Sequence, residues 1–503
     1  MPYLNTNAYI LVVIGILFAK CFGFLRDIVF ASEFGASELT DIYFQVFSLA
    51  SLVFTGIGSA LSTLVIKNLN KSENLASDGG KKYVSSFISG ASLIVFVAII
   101  IMYIFSDVIV NLLLPGIDGA LHDDAVKIMY IMLPSCLFVT VAYIISGVLQ
   151  NSGVFFITSV MSLPYNAIII SSMLLFDVNI TTVSIVSTIG WFLHIAVLLP
   201  SFIKKGYSLS PKIRKPSSKS SDNREVIYIF ISSMMFQLVF MADKAAVSAD
   251  SGAATTINYA SNLFVTISSV FVVAMSNVSY PSICRHFESG DIDSVRKILR
   301  YVITLLLAIF APFILTVNCF GNEIISLLYE RGEFTSDLTI VTATLFAVYT
   351  FGIFGYVCQE LLNKILYLDS KYKYTVAGTL TVVISKPFIN MFAAKIGGTV
   401  AVAVCTAILF CIYALFILLI IRKTVGNYFN RELFTNVIKI AAASLTALAI
   451  YFITKKLNIG FFETKLGFIV PIILCAAGYI AVIWASGCLR YIANRQFEGS
   501  DKK

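Results

Sequence analysis

Long apolar runs recur along the whole chain, each broken off by a short polar stretch. A membrane-spanning helix needs about 20 mostly apolar residues, and fourteen stretches qualify. The first seven run approximately over 7–33, 39–66, 84–106, 125–149, 154–177, 181–203 and 227–249. The other seven cover 255–284, 298–320, 338–363, 374–395, 398–421, 434–454 and 466–489. The pattern predicts an all-α polytopic membrane protein. The chain opens MPYLNTNAYILVV, with no cationic n-region and no small-residue cleavage site, so segment 1 is expected to be a retained helix.

The polar stretches between the runs carry the orientation. Lys and Arg collect in cytoplasmic loops. Most of the 36 in this chain fall after segments 2, 6, 8, 10 and 12 and in the tail, whereas the other side holds only Lys127, Arg331, Lys395, Lys455, Lys456 and Lys465. Both termini are therefore predicted to be cytoplasmic, which requires an even number of spans. The insert KKGYSLSPKIRKPSSKSSDNRE at 204–225 reads as a flexible basic linker. It divides an N-terminal six-helix bundle (1–203) from a C-terminal one (226–422), followed by two extra helices (423–489) and a tail (490–503).

Composition agrees with this pattern. The chain of 503 residues is 58% hydrophobic and 13% charged, with a mean hydropathy of +0.88; a soluble protein would carry about 25% charged residues. The net charge of +8 would suggest a nucleic-acid partner in a soluble domain. Here the basic residues lie between apolar segments and mark topology, so no nucleic acid is expected. Cys136, Cys358, Cys405, Cys411 and Cys475 sit inside apolar runs without C-x-x-C spacing, and His122, His194 and His286 are far apart. Neither set suggests a metal centre.

Against that background, ionisable residues within the spans are costly and functional by default. Lys20, Arg26, Asp27 and Asp41 interrupt segments 1 and 2. Lys20 and Asp27 are two helical turns apart and share a face, with Arg26 beside it. One reading is a cationic pocket for an anionic headgroup, with Asp41 as counter-charge; the structural alternative is an Arg26–Asp41 pair that only locks two helices. Segment 7 carries Asp243 and Lys244, and segment 11 carries Lys386, Pro387 and Asn390. A lone acid and a lone cation on different helices suggest an ion pair, or a cation-coupling site in which the ammonium takes the ion's place. Glu360 and Lys364, four apart, have the spacing of a simple helix bridge.

The halves show a faint repeat: Asp27, Ser32 and Tyr43 recur 216 positions later as Asp243, Ser248 and Tyr259. Transporters built from such repeats place their substrate between the halves. No P-loop, G-x-S-x-G or H-E-x-x-H motif is present. The chain is expected to be a transporter and not an enzyme, driven by a gradient or facilitating flipping.

The stretch GFLRDIVFASEFGASELTDIYFQVF resembles the signature of the MurJ (MviN) family of lipid II flippases, in the same superfamily as the multidrug (MATE) and oligosaccharide flippases. INYASNLF at 257–264, MSNVSYPSICR at 275–285 and LLYERGEFTSDLT at 327–339 continue the resemblance in register, as does the stretch from Gln359 to Gly398. It implies fourteen helices, with two six-helix bundles around a central cavity and two C-terminal helices forming a groove for a polyprenyl tail. The implied substrate is a polyprenyl-pyrophosphate-linked saccharide, most simply lipid II, in the bacterial cytoplasmic membrane, with cell-envelope synthesis enzymes as possible partners.

By the same resemblance, Lys20 and Arg26 take cavity-cation positions and Asp41 keeps an acidic one. Asp243, Asn390 and Thr406 match contributors to a cation site found in some members, so Na+ or H+ coupling, or the membrane potential, would drive the cycle without an organic cofactor. The chain also departs from the pattern. The family's cavity Arg on segment 2 falls near Phe54-Thr55, where no cation stands, and its Arg in the INYASNLF run is Asn262. Lys386 replaces a neutral position, and its ammonium is expected to pair with Asp243 where a sodium ion would sit. These departures leave open a paralogue for another polyprenyl-linked glycan. Two other classes remain: a cation-coupled exporter of amphipathic cations using Asp27, Asp41 and Asp243, and a scaffold for envelope enzymes.

Overall fold

The computed structural model describes residues 6–52, 78–209, 228, 230–232, 234–369, 371–457 and 466–494. Among these residues the regular structure is helical throughout, with no strand. The helices are α1 (Thr6–Phe34), α2 (Glu38–Leu52), α3 (Asp78–Ile104), α4 (Ser106–Leu113), α5 (Ala120–Met132), α6 (Ser135–Asn151), α7 (Phe156–Ser159), α8 (Leu163–Leu175) and α9 (Ile180–Lys204). They continue as α10 (Met235–Ala246), α11 (Ala253–Glu288), α12 (Ile292–Tyr329), α13 (Ser336–Phe351), α14 (Ile353–Leu368), α15 (Tyr372–Val425), α16 (Arg431–Lys456), α17 (Ile469–Ala485) and α18 (Cys488–Asn494).

Each apolar stretch read from the sequence falls on helix, but the helices are cut differently. Among the described residues six are long and apolar enough to span a bilayer, or seven if α13 and α14, bent by 46°, form one broken span. Segments 11 and 12 are merged in α15, which breaks at Gly397 and at Gly398, where φ is +57°. The backbone there has a conformation that only glycine adopts without strain. Segment 9 runs to Tyr329 because α12 kinks at Phe320 and continues. Segment 2 beyond Leu52, most of the 204–225 linker and the Phe54-Thr55 position lie outside the described residues.

The chain divides into two compact units. Unit 1 comprises 1–258, 331–335 and 383–394, and unit 2 the remainder. In unit 1, α1 packs on α8, α9 packs on α6 and α8, and α2 packs on α5 and α10. Its apolar centre includes Val84, Ile145, Val148, Leu149, Leu198 and Phe202. In unit 2, α12 packs on α13 and α16, and α16 on α17, around Ile440, Ala443, Ala447, Tyr479 and Ile483. Tyr479 ties this group together by donating to the Ala308 carbonyl at 2.8 Å.

Large apolar side chains also point outward: Ile94 is 72% exposed, Leu112 75% and Ile396 86%. Exposed apolar surface on this scale suits lipid and would be a liability in water. Outside the spans the usual end-capping rules hold. Asp291 caps α12 by accepting from Ser294 N at 3.1 Å, and the Ser294 hydrogen bonds, aided by nearby His286, hold its carboxyl below the usual carboxylate range.

Candidate transport site

Arg26 lies in the C-terminal third of α1. Its guanidinium donates twice to Asp27 Oδ1, from Nη2 at 2.6 Å and Nε at 3.1 Å. It also lies over the rings of Phe47 and Tyr165, 5.7 and 5.5 Å from their centroids. These rings belong to a run of aromatic contacts that includes Tyr43, Trp191 and His194. The side chains of Arg26 and Asp27 keep 16% and 11% of their exposure. The pair is thus enclosed but not sealed. Lys20, two turns earlier, is half-buried on the same helix. Nothing crowds Gly23 between them: a side chain there would meet only the Asn166 amide nitrogen, at 3.8 Å.

Asp41 has a different role from the one expected of it. Its carboxylate accepts from Gly252 N at 2.8 Å, Thr255 N at 2.6 Å and Thr255 Oγ1 at 2.5 Å. It therefore caps the exposed amides at the start of α11, where the helix dipole also favours negative charge. The counter-charge of Arg26 is the adjacent Asp27, not Asp41. The reason is local: Asp41 occupies the first turn of α2, and Thr40 beside it accepts from Thr255 Oγ1 at 2.9 Å, so this turn is committed to α11.

Around that cap several turns of unit 1 interlock. Glu333 N donates to the Ser32 carbonyl at 2.8 Å, and Gly116 N donates to Ser248 Oγ at 2.9 Å. A Cβ on Gly35 would fall 2.5 Å from the Glu333 carbonyl oxygen, and one on Gly252 would fall 3.0 Å from that of Ala36. Both glycines have positive φ, so the backbones meet at distances that no other residue allows.

Deeper in unit 1 lies a second group of charges. Lys386 Nζ is 2.7 Å from Asp243 Oδ1 and donates to Asn390 Oδ1 at 2.6 Å, while Asn390 Nδ2 donates to Asp243 Oδ1 at 2.8 Å. Asp243, Lys386 and Asn390 are fully buried. The spacing of Lys386 and Asn390, one turn apart, puts both on the face that meets Asp243. Lys244 turns the other way: its Nζ donates to Ser48 Oγ, to the Phe44 carbonyl at 3.3 Å and to Asn258 Oδ1 at 3.3 Å.

The structure thus brings Asp243, Lys386 and Asn390 together, and Arg26 with Asp27, within unit 1. Asn262 and Thr406 belong to unit 2, where Asn262 is half-buried and Thr406 is buried with its hydroxyl donating to the Val402 carbonyl at 3.1 Å. Sequence reasoning missed Ser48 and Asn258 as acceptors for Lys244, Gln45, which bridges the Leu113 and Met241 carbonyls at 2.7 and 3.1 Å, and the aromatic setting of Arg26. A pointer was present for two of these: Gln45 and Ser48 stand one helical turn apart in an otherwise apolar run.

Apolar helices with outward-facing apolar side chains, and charges gathered inside, define a multi-pass membrane protein. The solved structures that resemble it include one titled lipid II flippase MurJ, inward closed conformation, with a TM-score of 0.77 and 22% identity over 97% of this chain and 100% of that one. A multidrug resistance MATE family transporter of the MOP superfamily in its inward-facing conformation matches with a TM-score of 0.65 and 10% identity, over 81% and 95% of the two chains. The sequence profile of the family described as lipid II flippase MurJ matches residues 30–471. The chain belongs to the MurJ family. Among curated relatives, the lipid II flippase MurJ of Thermosipho africanus is 24% identical over 94% of both chains. The probable lipid II flippase MurJ of Buchnera aphidicola subsp. Schizaphis graminum is 24% identical over 70% of both. Membership makes the chain a multi-pass protein of the bacterial inner membrane.

Proposed function

We propose that this protein is a flippase that carries lipid II, a polyprenyl-pyrophosphate-linked saccharide, across the cytoplasmic membrane by alternating access. The observation that carries this reading is the family match over residues 30–471. The chemistry of unit 1 supports it. Lys20 and Arg26 stand on one helix, and an ammonium and a guanidinium are the groups that suit a pyrophosphate. Arg26 can offer further guanidinium donors to phosphate oxygens while Asp27 holds it in place. Asn262 is a polar contributor to the same substrate, Asp41 acts by holding α11, and Asp243, Lys244, Lys386, Asn390 and Thr406 serve coupling or stability.

The remaining organisation follows from the same reading: two six-helix bundles, both termini cytoplasmic, and α16 and α17 forming a groove for the lipid tail. In unit 2 the described residues Pro312, Leu315, Phe320, Ala447, Tyr451 and Cys475 line a small apolar recess of about 30 Å³, too small by itself for a lipid tail. Envelope-synthesis enzymes are the natural partners.

The test is growth of a strain depleted of its lipid II flippase. The unmutated chain restores growth, and Arg26→Ala does not. Failure of the unmutated chain would favour the second reading, a flippase for another polyprenyl-linked glycan, which the neutral residues at Phe54-Thr55 and Asn262 recommend. Raised resistance to cationic drugs on overexpression would instead move the assignment to a multidrug exporter.

A further inference from the structure

In the sealed group of unit 1, a carboxylate oxygen and an amide oxygen converge on one point, 2.7 and 2.6 Å from it, with no exposure to solvent. Two oxygens so placed hold an ammonium, and they are the kind of ligand a monovalent metal cation also takes. The cation at that point is the ammonium of Lys386, attached to the chain. The amide of Asn390 can be oriented in only one way, with Oδ1 toward the ammonium and Nδ2 toward Asp243 Oδ1. A metal ion in the same position would require the same orientation, so the ligands suit either occupant.

They do not suit both at once. A second cation would lie against a like charge in a medium that screens it poorly, with one carboxylate between them. Lys244, the next residue after Asp243, adds a further positive charge nearby, held by Ser48, Asn258 and the Phe44 carbonyl. While Lys386 is in place, these residues do not fit sodium.

We propose that Lys386 is the resident cation of this protein: its tethered ammonium fills an alkali-cation position between Asp243 and Asn390, makes the protein indifferent to Na+ and K+, and conceals a Na+ site that opens when the ammonium is removed. The proposal deepens the transporter reading by assigning its coupling residues, but its test needs no lipid substrate.

The experiment is thermal unfolding of the purified full chain in detergent, in NaCl, KCl and choline chloride at equal ionic strength. The unmutated chain is expected to melt at the same temperature in all three. Lys386→Ala is expected to melt lower in choline and to recover by several degrees, saturably, with Na+. Adding Asp243→Asn to Lys386→Ala should abolish that recovery. Na+-specific stabilisation of the unmutated chain would overturn the proposal, as would a folded Lys386→Ala protein that ignores Na+. If Lys386→Ala cannot be recovered in any salt, the unmutated chain decides alone: equal melting in the three salts supports the tethered cation, and a Na+-specific rise refutes it. Complementation can fail or succeed independently of these results, so the two readings are separable.

Discussion

Two acid–cation pairs interrupt the apolar helices of unit 1, and their surroundings give them different capacities. In Arg26–Asp27 the side chains retain 16% and 11% of their exposure, and aromatic faces border the guanidinium. In Asp243–Lys386 both are at 0%, and an amide closes the remaining side. A partly open pair can loosen and offer its cation to an arriving anion. A sealed pair cannot part without leaving a bare charge in a dry interior, which is far costlier. Burial, more than residue type, therefore separates a charge free to meet a ligand from a locked one.

The largest effect expected on stability comes from breaking the sealed pair. Asp243→Ala strands the Lys386 ammonium and should lower unfolding stability by about 3–5 kcal/mol, read as a fall in Tm or a loss of folded protein. Replacing both partners together, as Asp243→Leu with Lys386→Met, should recover most of that loss, because a buried ion pair exchanged for apolar side chains is often close to neutral.

Asp41 tests the middle of the range. Asp41→Ala removes acceptors from the start of α11, so the cost should resemble that of a lost helix cap, about 1–2 kcal/mol. Hydrogen exchange at residues 252–257 should accelerate before that of the surrounding helices.

The residue with the largest expected effect on transport should cost less stability than Asp243. Arg26→Ala should lower Tm by less than Asp243→Ala does, because the exposure that Asp27 retains lets water reach the carboxylate left behind, while complementation is lost. A fall in Tm as large as that of Asp243→Ala would erase the distinction between the two pairs.

The contrast was only half visible in the sequence. A lone Asp and a lone Lys in separate apolar segments announce each other, because neither is tolerable alone at that depth, and Asn390 follows Lys386 by one turn on the same face. The helical runs were legible for a similar reason, since hydrophobicity is a local property. What could not be read was Asp41's partner. Its acceptors serve the backbone amides of Gly252 and Thr255, and a backbone amide has no signature in a sequence. Where helices break was legible in part: the Gly397-Gly398 pair marks the end of segment 11, and Gly321, directly after Phe320, stands at the kink in α12. The expectation that Asp41 answers Arg26 failed because Asp27, next in the chain, was near enough to do so.

The sealed pair has an electrical consequence. An elementary charge carried across a membrane exchanges about 2.3 kcal/mol with the field for each 100 mV. Lys386 and Asp243, held 2.7 Å apart, have opposite charges that cancel. Whatever displacement carries them during the cycle moves almost no net charge, and the pair is silent to voltage. Any current that accompanies transport must come from charges other than this pair.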